Sequence, residues 1–193
     1  FAGAICMQIL EDMGVGIQAH IQKIKDVCDD EIDYVNIDKW SIAEKDFPTL
    51  NEEKGRLMIA EIEKARDMGD SVGGVIECAV TGVKAGFGDP MFDGVENKIS
   101  KNIFGIPAVK GIEFGNGFNA TDLYGSENND EFCIKNGEII TKTNNAGGIN
   151  GGITNGMPIV FRTAIKPTPS IFKEQNSISL QNKTEEKLQI KGR

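Results

Sequence analysis

Residues 143–156 have the sequence TNNAGGINGGITNG, and after an apolar run the chain continues with KPTPS at residues 166–170. A segment with so few side chains exposes backbone N–H groups, and consecutive N–H groups form concave sites for anions or for the polar rim of a heterocycle. The asparagine amides and the charge of Lys166 add further donors to such a site. The alternative is a pair of ordinary turns between strands, because glycine and asparagine are also common turn residues. Both interpretations are open at this point.

The hydrophobic pattern on either side of this stretch predicts a mixture of helices and strands. Apolar residues with helical spacing predict helices at residues 1–13, 49–69 and 92–105. The second of these helices begins with the capping-box spacing of Thr49 and Glu52. Alternating or apolar runs predict strands at residues 15–21, 75–80, 107–114 and 159–165. Asn136-Gly137 is a strong two-residue hairpin turn, and a last hairpin is predicted around Asn182.

His20 falls on the polar side of the strand predicted at residues 15–21. A lone histidine on a solvated strand face is more often tolerated than catalytic, and we expect His20 to be such a residue. The acidic segment from Cys28 to Lys45 is predicted to be a solvated loop. A metal site there is disfavoured, because the spacing of an EF-hand loop is missing.

The composition restricts the classes of protein to which the chain can belong. Its 193 residues are enough for one domain with a core, and its formal net charge of −8 argues against a nucleic-acid or anionic-membrane surface. The four cysteines lack zinc-ligand spacing, so we expect reduced thiols in a cytoplasmic protein and no metal site. The single histidine excludes a Ser-His-Asp relay made only from this chain. No apolar run approaches the roughly 18 residues of a membrane span.

Two nucleotide-binding patterns are rejected. Residues 115–120, GNGFNA, match the dinucleotide pattern Gly-x-Gly-x-x-Gly/Ala after a predicted strand. No apolar helix follows them, as that motif requires. Residues 147–152 do not end in the Lys-Ser/Thr pair of a P-loop.

Several motifs in order resemble those of the chorismate synthase family. They are DSVGGVIE at residues 70–77, GFGDP at 86–90, PAVKGIEFGNGF at 107–118 and GSENNDE at 125–131, together with residues 143–156 and 166–170. The resemblance implies an α+β fold in which helices are sandwiched between antiparallel β-sheets. It also implies a lyase of aromatic biosynthesis in the shikimate pathway, which forms chorismate by 1,4-trans elimination of phosphate from 5-enolpyruvylshikimate 3-phosphate. Members of the family depend on reduced FMN and are typically homotetramers.

The resemblance also assigns a set of flavin contacts to this chain. They are Pro107, Ala108, Gly151, Lys166, Pro167, Thr168, Pro169, Ser170 and Arg193. Pro107 departs from the family, since many relatives have a polar residue there, and its side chain donates no hydrogen bond. The family's catalytic histidines match positions before Phe1, so His20 does not inherit their role and no catalytic residue is assigned.

Both ends of the chain look like cuts in a longer sequence, and we expect residues 1–193 to be one incomplete chorismate synthase-like domain. Two other classes are weighed against the enzyme. The first is a non-catalytic relative that keeps the fold and binds flavin or an anion. The second is an unrelated secreted β protein whose four cysteines form disulfides. Neither alternative explains the ordered set of motifs.

Overall fold

The computed structural model describes residues 1–37, 42 and 45–190. Four α-helices lie in this part of the chain: α1 (Ala2–Asp12), α2 (Glu52–Asp67), α3 (Val95–Ile103) and α4 (Gly125–Asn128). A 3₁₀ turn at Gly117–Asp122 precedes α4. No helix in the described ranges is both long enough and apolar enough to cross a membrane.

Five strands form the main sheet, in the order β2-β1-β3-β9-β4, and every neighbouring pair is antiparallel. These strands are β1 (Gly16–Ile24), β2 (Val27–Cys28), β3 (Gly74–Thr81), β4 (Val109–Phe114) and β9 (Ile159–Ile165). Three separate hairpins complete the strands: β5 (Phe132–Lys135) with β6 (Glu138–Thr141), β7 (Ile149–Asn150) with β8 (Ile153–Thr154), and β10 (Gln175–Ser179) with β11 (Thr184–Leu188). The α+β class is therefore confirmed.

One face of the main sheet carries the hydrophobic core. Phe161 and Ile159 of β9 pack there with Ile149, and the Phe161 ring lies 5.8 Å from the ring of Phe114 on the neighbouring strand. The apolar side of α3, which includes Ile99, covers this cluster. Burial of such side chains removes apolar surface from water and fixes α3 against β4 and β9.

The start of α2 differs from its prediction. The N-cap is Asn51, whose side chain accepts hydrogen bonds from the N–H groups of Glu53 and Lys54. Thr49, predicted to cap the helix, lies two residues earlier and is buried. The helix predicted at residues 1–13 is confirmed as α1, but none of its residues is buried.

The four cysteines are free thiols. The structure therefore contradicts the alternative of a secreted protein held together by disulfides.

Candidate functional site

The glycine-rich stretch ends in a tight hairpin. Asn150 pairs with Ile153, and Gly151 and Gly152 form the two-residue turn with φ angles of 58° and 82°. This left-handed geometry is typical of a type I′ turn and favours glycine at both positions. A Cβ atom added at Gly151 would meet no heavy atom within 4 Å. The surface at Gly151 is thus open to a ligand, as a flat ring against the backbone requires.

In the first half of the stretch, the N–H groups of Asn145 and Ala146 already have an acceptor within the chain. The Asp130 carboxylate accepts hydrogen bonds from the backbone N–H of Asn145 at 2.7 Å, from that of Ala146 at 2.9 Å, and from the Thr143 hydroxyl at 2.6 Å. An internal carboxylate therefore occupies the concave site that these two N–H groups form. For residues 143–146, the structure favours the interpretation as turns of the fold over that of a ligand site.

The asparagine amides of the stretch also serve the fold. Asn144 donates to the carbonyl oxygens of Tyr34 and Pro158 and accepts from the Gly148 N–H. Asn145 donates to the carbonyl oxygens of residues 127 and 128. These amides hold neighbouring loops together, so they do not read a ring edge as the sequence suggests.

Two of the segments assigned by resemblance meet in the structure. The backbone N–H of Lys166 donates to the carbonyl oxygen of Ala108 at 3.0 Å, which places residues 107–108 beside the start of 166–170. Ala108 has a φ of 71°, an uncommon angle for a residue with a Cβ atom. The side chains of Pro107 and Lys166 are exposed. Within the described ranges, no carboxylate forms an ion pair with Lys166.

Residues 166–170 continue alongside a groove at the ends of the central strands. The Ser71 hydroxyl donates to the Thr168 carbonyl oxygen at 2.7 Å and fixes this run against the start of β3. The groove has a volume of about 530 Å³, and Met68 directly after α2, Lys23 of β1 and Pro167 are among its lining residues. It therefore combines an apolar wall with a lysine.

Gly151 and Lys166 lie toward opposite ends of α3. The Val95 N–H at the start of this helix donates to the Gly152 carbonyl oxygen, whereas Ala108 follows its C-terminal end. A helix of this length extends roughly 14 Å. Within a single copy of the chain, Gly151 and Lys166 are therefore separated by about the length of α3. Only an elongated ligand would contact both residues. Arg193, also assigned by resemblance, lies outside the described residues.

A row of charged side chains crosses the opposite face of the sheet, and the sequence analysis did not find it. Four members are direct cross-strand partners, namely His20, Glu77, Arg162 and Glu113. Asp29 extends the row beyond β1, and we refer to these five residues as the charged row. The sequence alone does not show that these residues are neighbours, because the four strands that carry them are distant in sequence and the order of the strands in the sheet decides which residues pair.

His20 is in the middle of the charged row and is only 1% exposed. Its Nδ1 atom lies 3.0 Å from Asp29 Oδ2, and its Nε2 atom lies 3.0 Å from Glu77 Oε2. The prediction of a solvated histidine is therefore wrong, as is that of a solvated loop at Asp29, which is 5% exposed. The polar face of β1 is buried beneath the segment that follows Cys28.

The other half of the row contains Arg162 and Glu113. Arg162 Nε lies 2.9 Å from Glu113 Oε1, as an ion pair rather than an aligned hydrogen bond. The guanidinium also donates to the carbonyl oxygens of Gly115 and Asn116. Between the halves, the Tyr34 hydroxyl donates to Glu77 at 2.6 Å, and burial followed by this hydrogen bond raises the pKa of Tyr34.

Comparison with known proteins gives a consistent result. The model of the family described as chorismate synthase matches residues 1–193. Two curated proteins named chorismate synthase, from Lancefieldella parvula and Pyrococcus abyssi, are each 42% identical to this chain over its whole length. A crystal structure of a chorismate synthase superposes with a TM-score of 0.80 at 31% identity and covers 87% of this chain. The matches cover 54%, 53% and 54% of those proteins, respectively, so the chain spans about half of their length.

Proposed function

The chain belongs to the chorismate synthase family, and on that basis we propose that it forms part of an enzyme that makes chorismate. The reaction is the 1,4-trans elimination of phosphate from 5-enolpyruvylshikimate 3-phosphate, and the enzyme is a lyase that depends on reduced FMN. The proposal extends beyond the chain itself, which has about half the length of its relatives. It also includes a cytoplasmic location and a homotetramer, in which residues 1–193 are one incomplete domain.

The observation that carries the proposal is the hydrogen bond from Lys166 to Ala108. The two segments are more than fifty residues apart in sequence, and the family resemblance assigns both of them to the flavin site. Local sequence does not require them to meet. Their contact supports one shared ligand site at this edge of the sheet.

The residues at this edge suit an anionic, flat cofactor. Lys166 provides an exposed positive charge, and Thr168 and Ser170 add hydroxyl groups that donate to phosphate or to ring oxygens. Gly151, toward the other end of α3, provides open backbone surface for close approach. Pro107 offers only apolar contact. A reduced FMN held by these residues would supply electron density to the elimination of phosphate.

The role of this chain is to bind and orient rather than to move protons. Lys166 would attract the anion, the hydroxyl groups would fix its orientation, and Met68 and Pro167 would provide apolar contact from the groove. His20 is buried within the charged row, on the other face of the sheet from the core. We therefore assign it no part in the chemistry.

The test uses the full-length protein with 5-enolpyruvylshikimate 3-phosphate and reduced FMN under anaerobic conditions, and chorismate is followed by its absorbance. We expect turnover by the full-length protein and none by residues 1–193 alone. Binding of FMN without chorismate formation would instead support the non-catalytic relative.

The contribution of Lys166 is tested by titrating FMN into the Lys166→Ala variant. Loss of a charge-assisted hydrogen bond of about 1.5–3 kcal/mol weakens binding roughly ten- to a hundredfold. Lys101→Ala is the matched control, because Lys101 is an exposed lysine on α3 and is not assigned to the site. Equal affinities for the two variants would remove Lys166 from the FMN site.

A further inference from the structure

Two prolines interrupt the backbone hydrogen bonding of residues 166–170. Pro167 and Pro169 have no backbone N–H, so the ladder of β9 ends before this segment. At the start of the segment, the Lys166 N–H donates to the Ala108 carbonyl oxygen. The position of the segment beyond Lys166 therefore depends on contacts from elsewhere in the chain.

The loop between α2 and β3 supplies such contacts, and we refer to its residues 69–73 as the 69–73 loop. The Ser71 hydroxyl donates to the Thr168 carbonyl oxygen at 2.7 Å. Because Thr168 lies between the two prolines, this hydrogen bond holds the centre of the segment. The donor is a side-chain hydroxyl, so a substitution can remove it while the backbone of both segments is kept.

Close packing at Gly73 holds the same segment from the other end of the loop. A Cβ atom built at Gly73 would lie 2.6 Å from the Ile165 carbonyl oxygen and 2.9 Å from Pro167 Cδ. A side chain at this position would therefore require Pro167 to shift, whereas glycine lets the two backbones approach. The 69–73 loop thus restricts the segment by direct packing as well as by a hydrogen bond.

The 69–73 loop is itself fixed at the end of α2. Gly69 has a φ of 67°, and its N–H donates to the Arg66 carbonyl oxygen, as is common where a helix ends at a glycine. The Gly69 carbonyl oxygen accepts the Phe172 N–H at 2.9 Å. Asp70 also pairs with Lys173 at 2.7 Å, but both side chains are partly exposed, so this ion pair adds little stability. The end of α2 therefore fixes the loop, and the loop holds residues on both sides of the second proline.

We propose that Ser71 is a positioning residue of the flavin site, which acts through Thr168 to hold the segment that presents Lys166 to the cofactor. The inference rests on the proposed function, because the role of Lys166 requires that the protein bind FMN. Ser71 contacts no ligand in this arrangement. Without its hydroxyl the segment has more freedom, and ordering a loosened segment on binding costs affinity.

The test is titration of FMN into the full-length protein and into its Ser71→Ala variant. The lost hydrogen bond sets the scale of the effect, so we expect the variant to bind FMN roughly three- to tenfold more weakly. Ser177→Ala is the matched control, because Ser177 of β10 is also half-buried and its hydroxyl has no hydrogen-bond partner in the part of the chain that the structure describes. Equal affinities of Ser71→Ala and Ser177→Ala would overturn the inference.

A double variant distinguishes positioning from a general loss of stability. If Ser71 acts through Lys166, Ser71→Ala should weaken binding much less when Lys166→Ala is already present, because both changes act on the same contact. A merely structural role of Ser71 would give additive effects, and additivity would overturn the inference. Gly73→Ala alters the same segment without removing the hydroxyl, and it should show the same dependence on Lys166. Circular dichroism establishes that each variant is folded during the titration.

Failure of the proposed function gives a different result. A wild-type protein that binds no FMN would overturn that function and this inference with it. Binding that is weakened by Lys166→Ala but not by Ser71→Ala would keep the function and overturn the inference alone.

Discussion

Replacement of Asp130 tests whether an internal carboxylate organises the glycine-rich stretch. The Asp130→Asn variant keeps the size of the side chain but replaces one acceptor oxygen by an NH₂ group. That group would face the N–H of Asn145 or Ala146, each of which now donates to the carboxylate. The variant therefore lacks one hydrogen bond, and its NH₂ group repels the backbone N–H that it faces.

The magnitude follows from three contacts of 2.6–2.9 Å. Hydrogen bonds to charged groups each contribute about 1.5–3 kcal/mol, but contacts to one carboxylate are not additive. Since Asp130 is only half-buried, we expect Asp130→Asn to lower the free energy of unfolding by about 2–4 kcal/mol. With a urea m-value of about 2 kcal/mol per molar, the midpoint shifts by roughly 1–2 M.

The assay is urea unfolding followed by circular dichroism, with hydrogen exchange at the Asn145 and Ala146 amides. Asn129→Ala is the matched control, because Asn129 is exposed and next to Asp130 in sequence. The control should change stability by less than about 0.5 kcal/mol. The reasoning fails if Asp130→Asn and Asn129→Ala unfold at the same urea concentration. It also fails if the Asn145 and Ala146 amides keep their wild-type protection from hydrogen exchange.

Three further outcomes are expected. Burial raises the pKa of the Cys78 thiol from 9.0 to about 12, so its thiolate population is roughly a thousandfold smaller than usual. Cys78 should therefore react with iodoacetamide far more slowly than the exposed Cys6. Burial also raises the pKa of Glu96, so the folded state loses stability as the pH rises through 4.5, the ordinary pKa of a glutamate. Glu96→Gln should therefore stabilise the protein against urea at pH 7 and not at pH 3. Asn51→Ala removes the side-chain cap of α2 and should cost about 1 kcal/mol in the same unfolding assay.

Features that depend on neighbouring residues were predictable from sequence. The hairpin at Asn136-Gly137 forms with φ angles of 54° and 84°, because two left-handed residues in succession match the twist of the strands they connect. The alternation at residues 15–21 likewise identified β1. Ordered motifs predicted the family, since their combination is far more specific than any one of them.

Features that depend on distant partners were not predictable. The polar residues of β1 have the same alternation whether water or a buried network covers them. His20 is buried because Asp29, Glu77 and the segment around Tyr34 satisfy its polar groups. The start of α2 was misplaced for a related reason, since Thr49 has the spacing of a cap while its burial follows from tertiary packing.

The glycine-rich stretch divides into a structural half and an open half. Asn145 and Ala146 donate their N–H groups to Asp130, and loss of that anion would leave half-buried donors without acceptors. Gly151 lies in the second half, where an added Cβ meets no heavy atom within 4 Å. Lys166 follows in a separate segment and has no carboxylate partner within the described ranges. A flavin therefore competes with no internal group at these two positions. Of the contacts that the family resemblance assigns, Gly151 belongs to this open half, where binding of a ligand would require no internal contact to be broken.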